Sequence, residues 1–91
     1  MKTIVDNLAV EYRDEGEGPV ILLLHGWGNT LGYFDSLCAE LKGFRLVRLD
    51  LPGFGHSEIP REPWTVEQYA NFVDAFCRKI NIDPPTILGH S

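Results

Sequence analysis

The chain has 91 residues, of which 44% are hydrophobic, 11% aromatic and 23% charged. This balance is typical of a globular domain and argues against disordered, collagen-like or coiled-coil sequence. Eight basic residues against 13 acidic residues give a net charge of −5, and Lys and Arg form no cluster. We therefore expect neither nucleic acid nor an anionic membrane surface as a partner.

Three strands are predicted before the first helix. Thr3 to Val5 and Leu8 to Arg13 are β-prone segments joined by the turn-prone pair Asp6-Asn7, and the second segment alternates apolar with more polar residues. After a polar turn, the run from Val20 to Leu24 contains no polar residue. Such a run is typical of a strand that is covered on both faces of a parallel sheet.

A helix is predicted from Leu31 to Leu41, because apolar residues recur there at spacings of three and four. Asn29 or Thr30 is placed to cap its start, and Gly43 is placed to end it. The segment from Phe44 to Asp50 then predicts another strand.

The second helix has the clearest start signal in the chain. Thr65 as N-cap with Gln68 three residues later forms a capping box, and Trp64 with Tyr69 forms a hydrophobic staple. The apolar stripe predicted for this helix consists of Val66, Tyr69, Val73, Phe76, Cys77 and Ile80. Pro85 to Gly89 predicts a last short strand.

The order of these elements predicts an α/β fold. Strands that alternate with helices form a mostly parallel sheet with helices on both faces, and the two N-terminal strands add an antiparallel pair. Ligands of such sheets bind beyond the carboxyl ends of the strands. Three loops lie there: His25 to Asn29, Asp50 to Pro60, and the residues after Gly89.

The third loop begins with Gly89-His90-Ser91, directly after a predicted strand. A strand followed by Gly-X-Ser is the first half of a nucleophile elbow, in which a sharp turn exposes a serine hydroxyl and leaves space only for small neighbours. Taken alone, the triplet is a weak signal, and an incidental serine is the better interpretation of it.

The first loop is His25-Gly26-Trp27-Gly28-Asn29. A backbone N–H exposed there can point at a developing oxyanion, and Gly26 lets the chain approach closely. The alternative is an ordinary glycine turn. For His25 we favour a structural role, in which the ring binds a neighbouring backbone group while the Trp27 amide stabilises charge.

The second loop, Asp50 to Ser57, lacks the glycine spacing and the Gly-Lys ending of phosphate-binding loops, so a nucleotide site is not expected. Asp50 is better interpreted as an organiser of the turn than as a catalytic carboxylate, and His56 and His90 as polar loop residues. For three aromatic residues, Trp27, Phe34 and Phe54, the sequence does not distinguish between lining a pocket and packing in the core.

Two further features concern the cellular compartment. Cys38 and Cys77 have no metal-ligand spacing, and they favour two reduced, buried thiols over a disulfide. The segment from Met1 to Asp6 lacks the apolar stretch of a signal peptide, and no run is long enough to span a bilayer. We therefore expect a cytoplasmic protein without a bound metal or other cofactor.

Taken together, the three loops resemble the N-terminal part of an α/β-hydrolase fold protein of the serine hydrolase or esterase type. The resemblance covers essentially the whole chain. It rests on His25-Gly26-Trp27 after one strand, Asp50-X-Pro52-Gly53-X-Gly55-X-Ser57 after the next, and Gly89-His90-Ser91 after the last. It implies that residues 1–91 are the N-terminal portion of a single α/β-hydrolase domain, whose C-terminal remainder is absent from this sequence.

The resemblance also implies roles for individual residues. Ser91 would be the nucleophile, and the Trp27 backbone N–H would be one donor of the oxyanion hole. The residues that it places at the substrate are His25, Gly26, Trp27 and His90. The family's catalytic acid and histidine base follow the serine in chain order, so the 91 residues alone are expected to be inactive.

A serine at the elbow implies acyl transfer, whereas epoxide-opening and dehalogenating relatives use Asp there. Hydrolysis of a small carboxylic ester through an acyl-enzyme is the expected activity. Carbon–carbon bond hydrolases, aminopeptidases and thioesterases share the same N-terminal half of the fold, so these activities are alternatives. The alternatives from other classes are a non-catalytic relative that binds a ligand or partner and a small interaction module.

Overall fold

The computed structural model of the chain describes residues 1–82 and 86–89. Its strands are β1 (Lys2–Val5), β2 (Leu8–Glu15), β3 (Val20–Leu24), β4 (Arg45–Leu49) and β5 (Thr86–Gly89). A 3₁₀ helix (Leu31–Phe34) leads into α1 (Asp35–Glu40), and α2 (Val66–Lys79) lies between β4 and β5. All strands predicted from the sequence are therefore present: β3 has the predicted ends, and the ends of β1, β2 and β4 differ from the prediction by one or two residues. Pro85, the predicted first residue of the last strand, lies outside the described residues.

The five strands form one mixed sheet in the order β1-β2-β4-β3-β5. β1 pairs with β2 and β2 with β4 in antiparallel orientation, whereas β3 is parallel to both β4 and β5. Asp6 and Asn7, with φ of 47° and 67°, form the tight turn between β1 and β2. The predicted fold class, a mostly parallel sheet extended by an antiparallel N-terminal pair, is confirmed.

The helices pack on opposite faces of the sheet. Leu22 and Leu23 are neighbours on β3 and both are fully buried, but they belong to two separate apolar clusters because successive side chains of a strand point to opposite faces. Leu22 lies in the cluster that contains Phe72 and Phe76 of α2. Leu23 lies in the cluster with Phe34, beside α1. The prediction of helices on both faces is confirmed, and Phe34 is a core residue.

The predicted helix from Leu31 to Leu41 is shorter and begins as a 3₁₀ helix. Of the two candidate caps, Thr30 accepts a hydrogen bond from the Gly32 N–H through its side chain. α1 ends at Glu40 because Leu41 already has an extended backbone, before the positive φ of 80° at Gly43.

The start of α2 is as predicted, but its apolar stripe is partly wrong. Thr65 and Gln68 form the capping box, and the rings of Trp64 and Tyr69 are 5.2 Å apart. Val66 is 87% exposed, because this first helical residue faces away from the sheet. Phe72 is instead 1% exposed, since it follows Tyr69 by three residues and precedes Phe76 by four on the same face.

Both cysteines are free thiols, as predicted. Cys77 is buried on α2, whereas Cys38 on α1 is only partly buried, and the sheet separates the two apolar clusters that they contact. Burial raises the pKa of both thiols. Within residues 1–82 and 86–89, no helix combines the length and the apolar character that crossing a membrane requires. The cytoplasmic location stays a prediction.

We expect Phe72→Ala to lower the free energy of unfolding by about 3–5 kcal/mol, because truncating a buried Phe removes apolar contacts and leaves a cavity. Val66→Ala should change the free energy of unfolding by less than about 0.5 kcal/mol, since its side chain faces solvent. Urea denaturation of the two variants measures the difference. An equal loss of unfolding free energy in both variants would contradict the assignment of the buried face of α2.

A pH dependence is expected from the ion pair between Asp14 on β2 and Arg45 on β4, which is bidentate with distances of 2.8 and 2.6 Å. The hydrogen bonds from Arg45 hold the pKa of Asp14 below its usual 3.8. Folding therefore depresses this pKa, so the stabilisation is complete above about pH 5 and is lost as the pH falls further. Between pH 5 and pH 2, the unfolding free energy should fall less in Asp14→Asn than in the unsubstituted protein. An equal decrease of the unfolding free energy in both proteins would show that the ion pair does not stabilise the fold.

Candidate active site

Three neighbouring strands end at the same edge of the sheet. Leu24, the last residue of β3, lies opposite Leu49 of β4 on one side and opposite Gly89 of β5 on the other. Neighbouring strands are about 4.8 Å apart. The loops that begin at His25 and Asp50 therefore leave this edge side by side, next to the point where β5 ends. His90 and Ser91 follow that point and lie outside the described residues.

The loop after β3 is a tight turn from Gly26 to Asn29. The Asn29 N–H donates to the Gly26 carbonyl at 3.1 Å, and Gly28, the third residue of the turn, has a φ of 78°, as a type II turn requires. Trp27 occupies the second position, and its side chain is 80% exposed. Among the backbone hydrogen bonds within residues 1–82 and 86–89, none is donated by the Trp27 N–H.

His25 is 4% exposed and connects the first two loops. The Leu51 N–H donates to Nε2 at 2.9 Å, so Nε2 carries no proton. Nδ1 therefore carries the proton and donates to the Gly26 carbonyl at 2.8 Å. Both ring nitrogens are thus bonded to the backbone, in agreement with the structural role favoured by the sequence. Substrate contacts of His25 and Gly26 stay predictions, and a contact through the His25 ring nitrogens would require one of these bonds to break.

Asp50 organises the start of the second loop from a buried position, with 2% of its surface exposed. Its Oδ1 accepts the Leu31 N–H at 2.7 Å, and its Oδ2 accepts the His56 N–H at 2.9 Å. The Ser57 hydroxyl donates to the Asp50 carbonyl. Asp50 is therefore the organiser of the turn that the sequence predicts, and both carboxylate oxygens are used within the fold.

Gly55 allows the second loop to fold back over this carboxylate. Its φ is 52°, and a Cβ at this position would overlap the side chain of Asp50. The position thus requires glycine for two independent reasons, the backbone conformation and the close approach.

The far end of the second loop is attached to β2. The Glu11 N–H donates to the Ser57 hydroxyl at 2.9 Å, and the Glu58 N–H donates to the Ala9 carbonyl at 2.8 Å. The Ala9 N–H donates back to Oε1 of Glu58 at 3.0 Å. The loop is therefore held by β2 on one side and by His25 on the other.

An apolar cavity of about 420 Å³ opens beside the Trp27 turn. Its walls include Trp27, Phe54, Ile59, Trp64 and Tyr69, and we call it the aromatic groove. Ring centroids lie 5.0 Å apart for Trp27 and Phe54, and 6.3 Å apart for Trp27 and Tyr69. Of the three aromatic residues that the sequence left open, Trp27 and Phe54 therefore line a pocket.

Most of this groove does not follow from the sequence, in which Trp64 indicates only the helix staple and Tyr69 indicates the staple and the apolar stripe of α2. The signal that could have indicated it is the apolar content of the segment from Ile59 to Trp64, which is a loop with an exposed Ile59. Among residues 1–82 and 86–89, no three His, Cys, Asp or Glu side chains are grouped as metal ligands.

Comparison with known proteins decides the family. Residues 19–91 match the sequence profile of the alpha/beta hydrolase fold. The chain belongs to this family. The crystal structure of an enol-lactonase from Burkholderia xenovorans LB400 superposes on this chain with a TM-score of 0.94 and 31% sequence identity. The superposition covers 100% of this chain and 37% of the enol-lactonase chain.

Two curated relatives illustrate the sequence similarity of this α/β-hydrolase chain. An uncharacterized protein of Mycobacterium tuberculosis is 37% identical over 81 residues, which cover 88% of this chain and 24% of the relative. A pimeloyl-[acyl-carrier protein] methyl ester esterase of Aeromonas salmonicida is 36% identical over 77 residues, covering 77% of this chain and 30% of the relative. The chain thus spans about a quarter to a third of the length of these relatives.

We expect Gly55→Ala to destabilise the protein more than Gly43→Ala. Both glycines have a positive φ, which costs an L-residue about 1–2 kcal/mol, but an added Cβ on Gly43 meets no atom within 4 Å. At Gly55 the overlap with Asp50 adds a further cost of about 1–3 kcal/mol. Unfolding free energies in urea give the comparison, and equal losses would contradict the packing of Gly55 on Asp50.

Proposed function

We propose that this chain is the N-terminal portion of a serine hydrolase that cleaves a small carboxylic ester or a related acyl substrate. The observation that carries the proposal is the register of β3 and β5, in which Leu24 lies opposite Gly89. In the sequence, Trp27 follows Leu24 by three residues and Ser91 follows Gly89 by two. The backbone N–H of Trp27 and the hydroxyl of Ser91 thus belong to segments that directly follow two paired strands.

In the proposed reaction, the Ser91 hydroxyl attacks the ester carbonyl carbon and loses its proton to a histidine base. The resulting tetrahedral oxyanion accepts a hydrogen bond from the Trp27 N–H, and the alcohol leaves with the transferred proton. Water then attacks the acyl-enzyme through a second oxyanion and releases the acid. A single donor of this kind typically contributes a factor of about 10²–10³ to kcat.

The first two loops support a preorganised donor. His25 holds the turn through the Gly26 carbonyl, so the peptide that precedes Trp27 is fixed by a hydrogen bond at 2.8 Å. A donor that is already in place before the reaction needs no reorganisation when charge develops. We infer the role of His25 as positioning, with the Trp27 N–H as the group that contacts the oxyanion.

The names of two of these relatives support ester chemistry. One curated relative is a pimeloyl-[acyl-carrier protein] methyl ester esterase, and one structural neighbour is an enol-lactonase. We propose that the catalytic acid and the histidine base belong to the portion of the protein that follows Ser91, and that this portion forms a single domain with residues 1–91. We also propose that the protein is cytoplasmic.

The test is labelling of the complete protein, including the portion after Ser91, with a fluorophosphonate. We expect one covalent adduct on the peptide that contains Ser91, because fluorophosphonates modify activated serines. Ser91→Ala should lose the adduct and at least about 10³-fold in kcat for p-nitrophenyl acetate.

The matched control is Ser36→Ala, since Ser36 is an exposed serine on α1. This variant should keep both the adduct and the activity. An adduct that persists in Ser91→Ala would contradict the proposal. A complete protein that folds but neither reacts with the probe nor hydrolyses esters would support the non-catalytic alternative.

A further inference from the structure

Arg48 is a charged residue inside the sheet, with only 4% of its surface exposed. It lies on β4 between Val47 and Leu49, which are both fully buried. A buried guanidinium loses its hydration, and replacing buried ionic groups by apolar side chains is often neutral or stabilising for a fold. An arginine at this position is therefore better explained by the geometry that it imposes than by the stability that it adds.

Arg48 and Asp50 hold the same residue from two sides. Nη1 of Arg48 donates to the Leu31 carbonyl at 3.0 Å, and the Leu31 N–H donates to Oδ1 of Asp50 at 2.7 Å. The two side chains are two positions apart, so they lie on the same side of the sheet. Leu31 is itself 6% exposed, so the described part of the chain alone shields these contacts from water. We call the three residues the Leu31 clamp.

The Leu31 clamp holds the chain where it leaves the Trp27 turn. The turn closes through the Gly26 carbonyl, which accepts the N–H of Asn29 and also the Nδ1–H of His25. One residue separates Asn29 from Leu31. The backbone of Trp27 therefore lies between two points that are fixed by hydrogen bonds, one at Gly26 and one at Leu31.

We propose that Arg48 is a positioning residue for the oxyanion donor, and that it acts through Leu31 to hold the Trp27 N–H in its reactive orientation. This inference rests on the proposed function and adds to it a residue remote from the substrate. A misplacement of about 1 Å can cost about 10²-fold in rate, because the donor must meet the charge that develops on the substrate. The loss is expected in kcat and not in KM, since the oxyanion forms only during the reaction.

The contacts of Arg48 predict which substitution is tolerated. Its Nη1 alone makes both short contacts, to the Leu31 carbonyl at 3.0 Å and to Oδ1 of Asp35 at 2.7 Å. Nη2 lies 3.5 Å from Glu15, whose side chain is 61% exposed. A lysine carries three donors on a single nitrogen and can replace both Nη1 contacts. Arg48→Lys should therefore keep the turn in place, whereas Arg48→Met should not.

The first experiment measures kcat and KM of the complete protein for p-nitrophenyl acetate. We expect Arg48→Met to lower kcat about 10-fold to 100-fold with KM changed less than about threefold, and Arg48→Lys to restore kcat to within about threefold. Arg13→Met is the matched control. It removes an arginine 3.5 Å from the same Asp35 oxygen, and none of the hydrogen bonds found within the described ranges joins Arg13 to Leu31. Its kcat and KM should be unchanged.

A second experiment follows the turn without measuring activity. Hydrogen exchange of residues 26–31 in the complete protein, measured by mass spectrometry, should accelerate at least about tenfold in Arg48→Met, because the turn opens locally more often. It should be unchanged in Arg48→Lys and Arg13→Met. Exchange of α2 should be the same in all variants, which distinguishes a local opening from a loss of global stability.

Two outcomes of the kinetic experiment would overturn the proposal. One is an unchanged kcat in Arg48→Met with only the urea midpoint lowered, as expected of a residue that merely stabilises the fold. The other is an equal loss of kcat in Arg13→Met, which would assign the effect to Asp35. If Arg48→Met does not fold, Arg48→Gln takes its place, since this neutral and shorter side chain is expected to cause the same loss.

Failure of the proposed function gives a different result. If the complete protein hydrolyses no ester but exchange of residues 26–31 accelerates only in Arg48→Met, the Leu31 clamp stands and the serine hydrolase proposal fails. If the protein hydrolyses esters and this exchange is the same in Arg48→Met as in the unsubstituted protein, the proposed function stands and the positioning role of Arg48 is contradicted.

Discussion

The buried carboxylate of Asp50 is the interaction on which the arrangement of the loops depends. It accepts backbone N–H groups from two separate segments, Leu31 at the start of the 3₁₀ helix and His56 in the loop after β4. A buried carboxylate is stable only when its oxygens are hydrogen-bonded, and a buried N–H without an acceptor costs about 1–3 kcal/mol. Each partner therefore stabilises the other, and the two loops that flank the candidate site form as one unit.

The antiparallel hairpin of β1 and β2 supports the same unit from the other side. Lys2 donates to the His56 carbonyl at 2.8 Å, and β2 binds Ser57 and Glu58 through its backbone. The hairpin thus has a role in the site although none of its residues lines the aromatic groove. It limits how far the loop after β4 can move relative to the strand ends.

Much of the fold follows from local signals in the sequence. The strand from Val20 to Leu24, the capping box at Thr65 and the turn at Asp6-Asn7 each depend on residues close together in the chain, and the structure contains all three. The role of Asp50 is also the one that the sequence favours over a catalytic role, because a carboxylate at the end of a strand can accept the N–H groups of the turn that follows.

The features that cannot be predicted from the sequence depend on contacts between segments that are distant in the chain. Helical spacing alone does not determine which neighbouring row faces the sheet, so Val66 was predicted in the stripe and Phe72 was omitted. Arg48 is similar: it is 4% exposed in β4, where the Leu31 carbonyl and Asp35 accept its hydrogen bonds. The aromatic groove also requires the first turn of α2 to meet the Trp27 turn, which no spacing in the sequence indicates.

The hydrogen bond from Tyr69 to the Pro52 carbonyl makes the shape of the aromatic groove depend on residues outside its lining. Because Tyr69 belongs to the first turn of α2, the position of one groove wall depends on how firmly that turn is wound. Substitutions at Thr65 or Gln68 would loosen the turn without touching the groove. A substitution at this helix terminus can therefore change the shape of the groove while every residue of its lining stays the same.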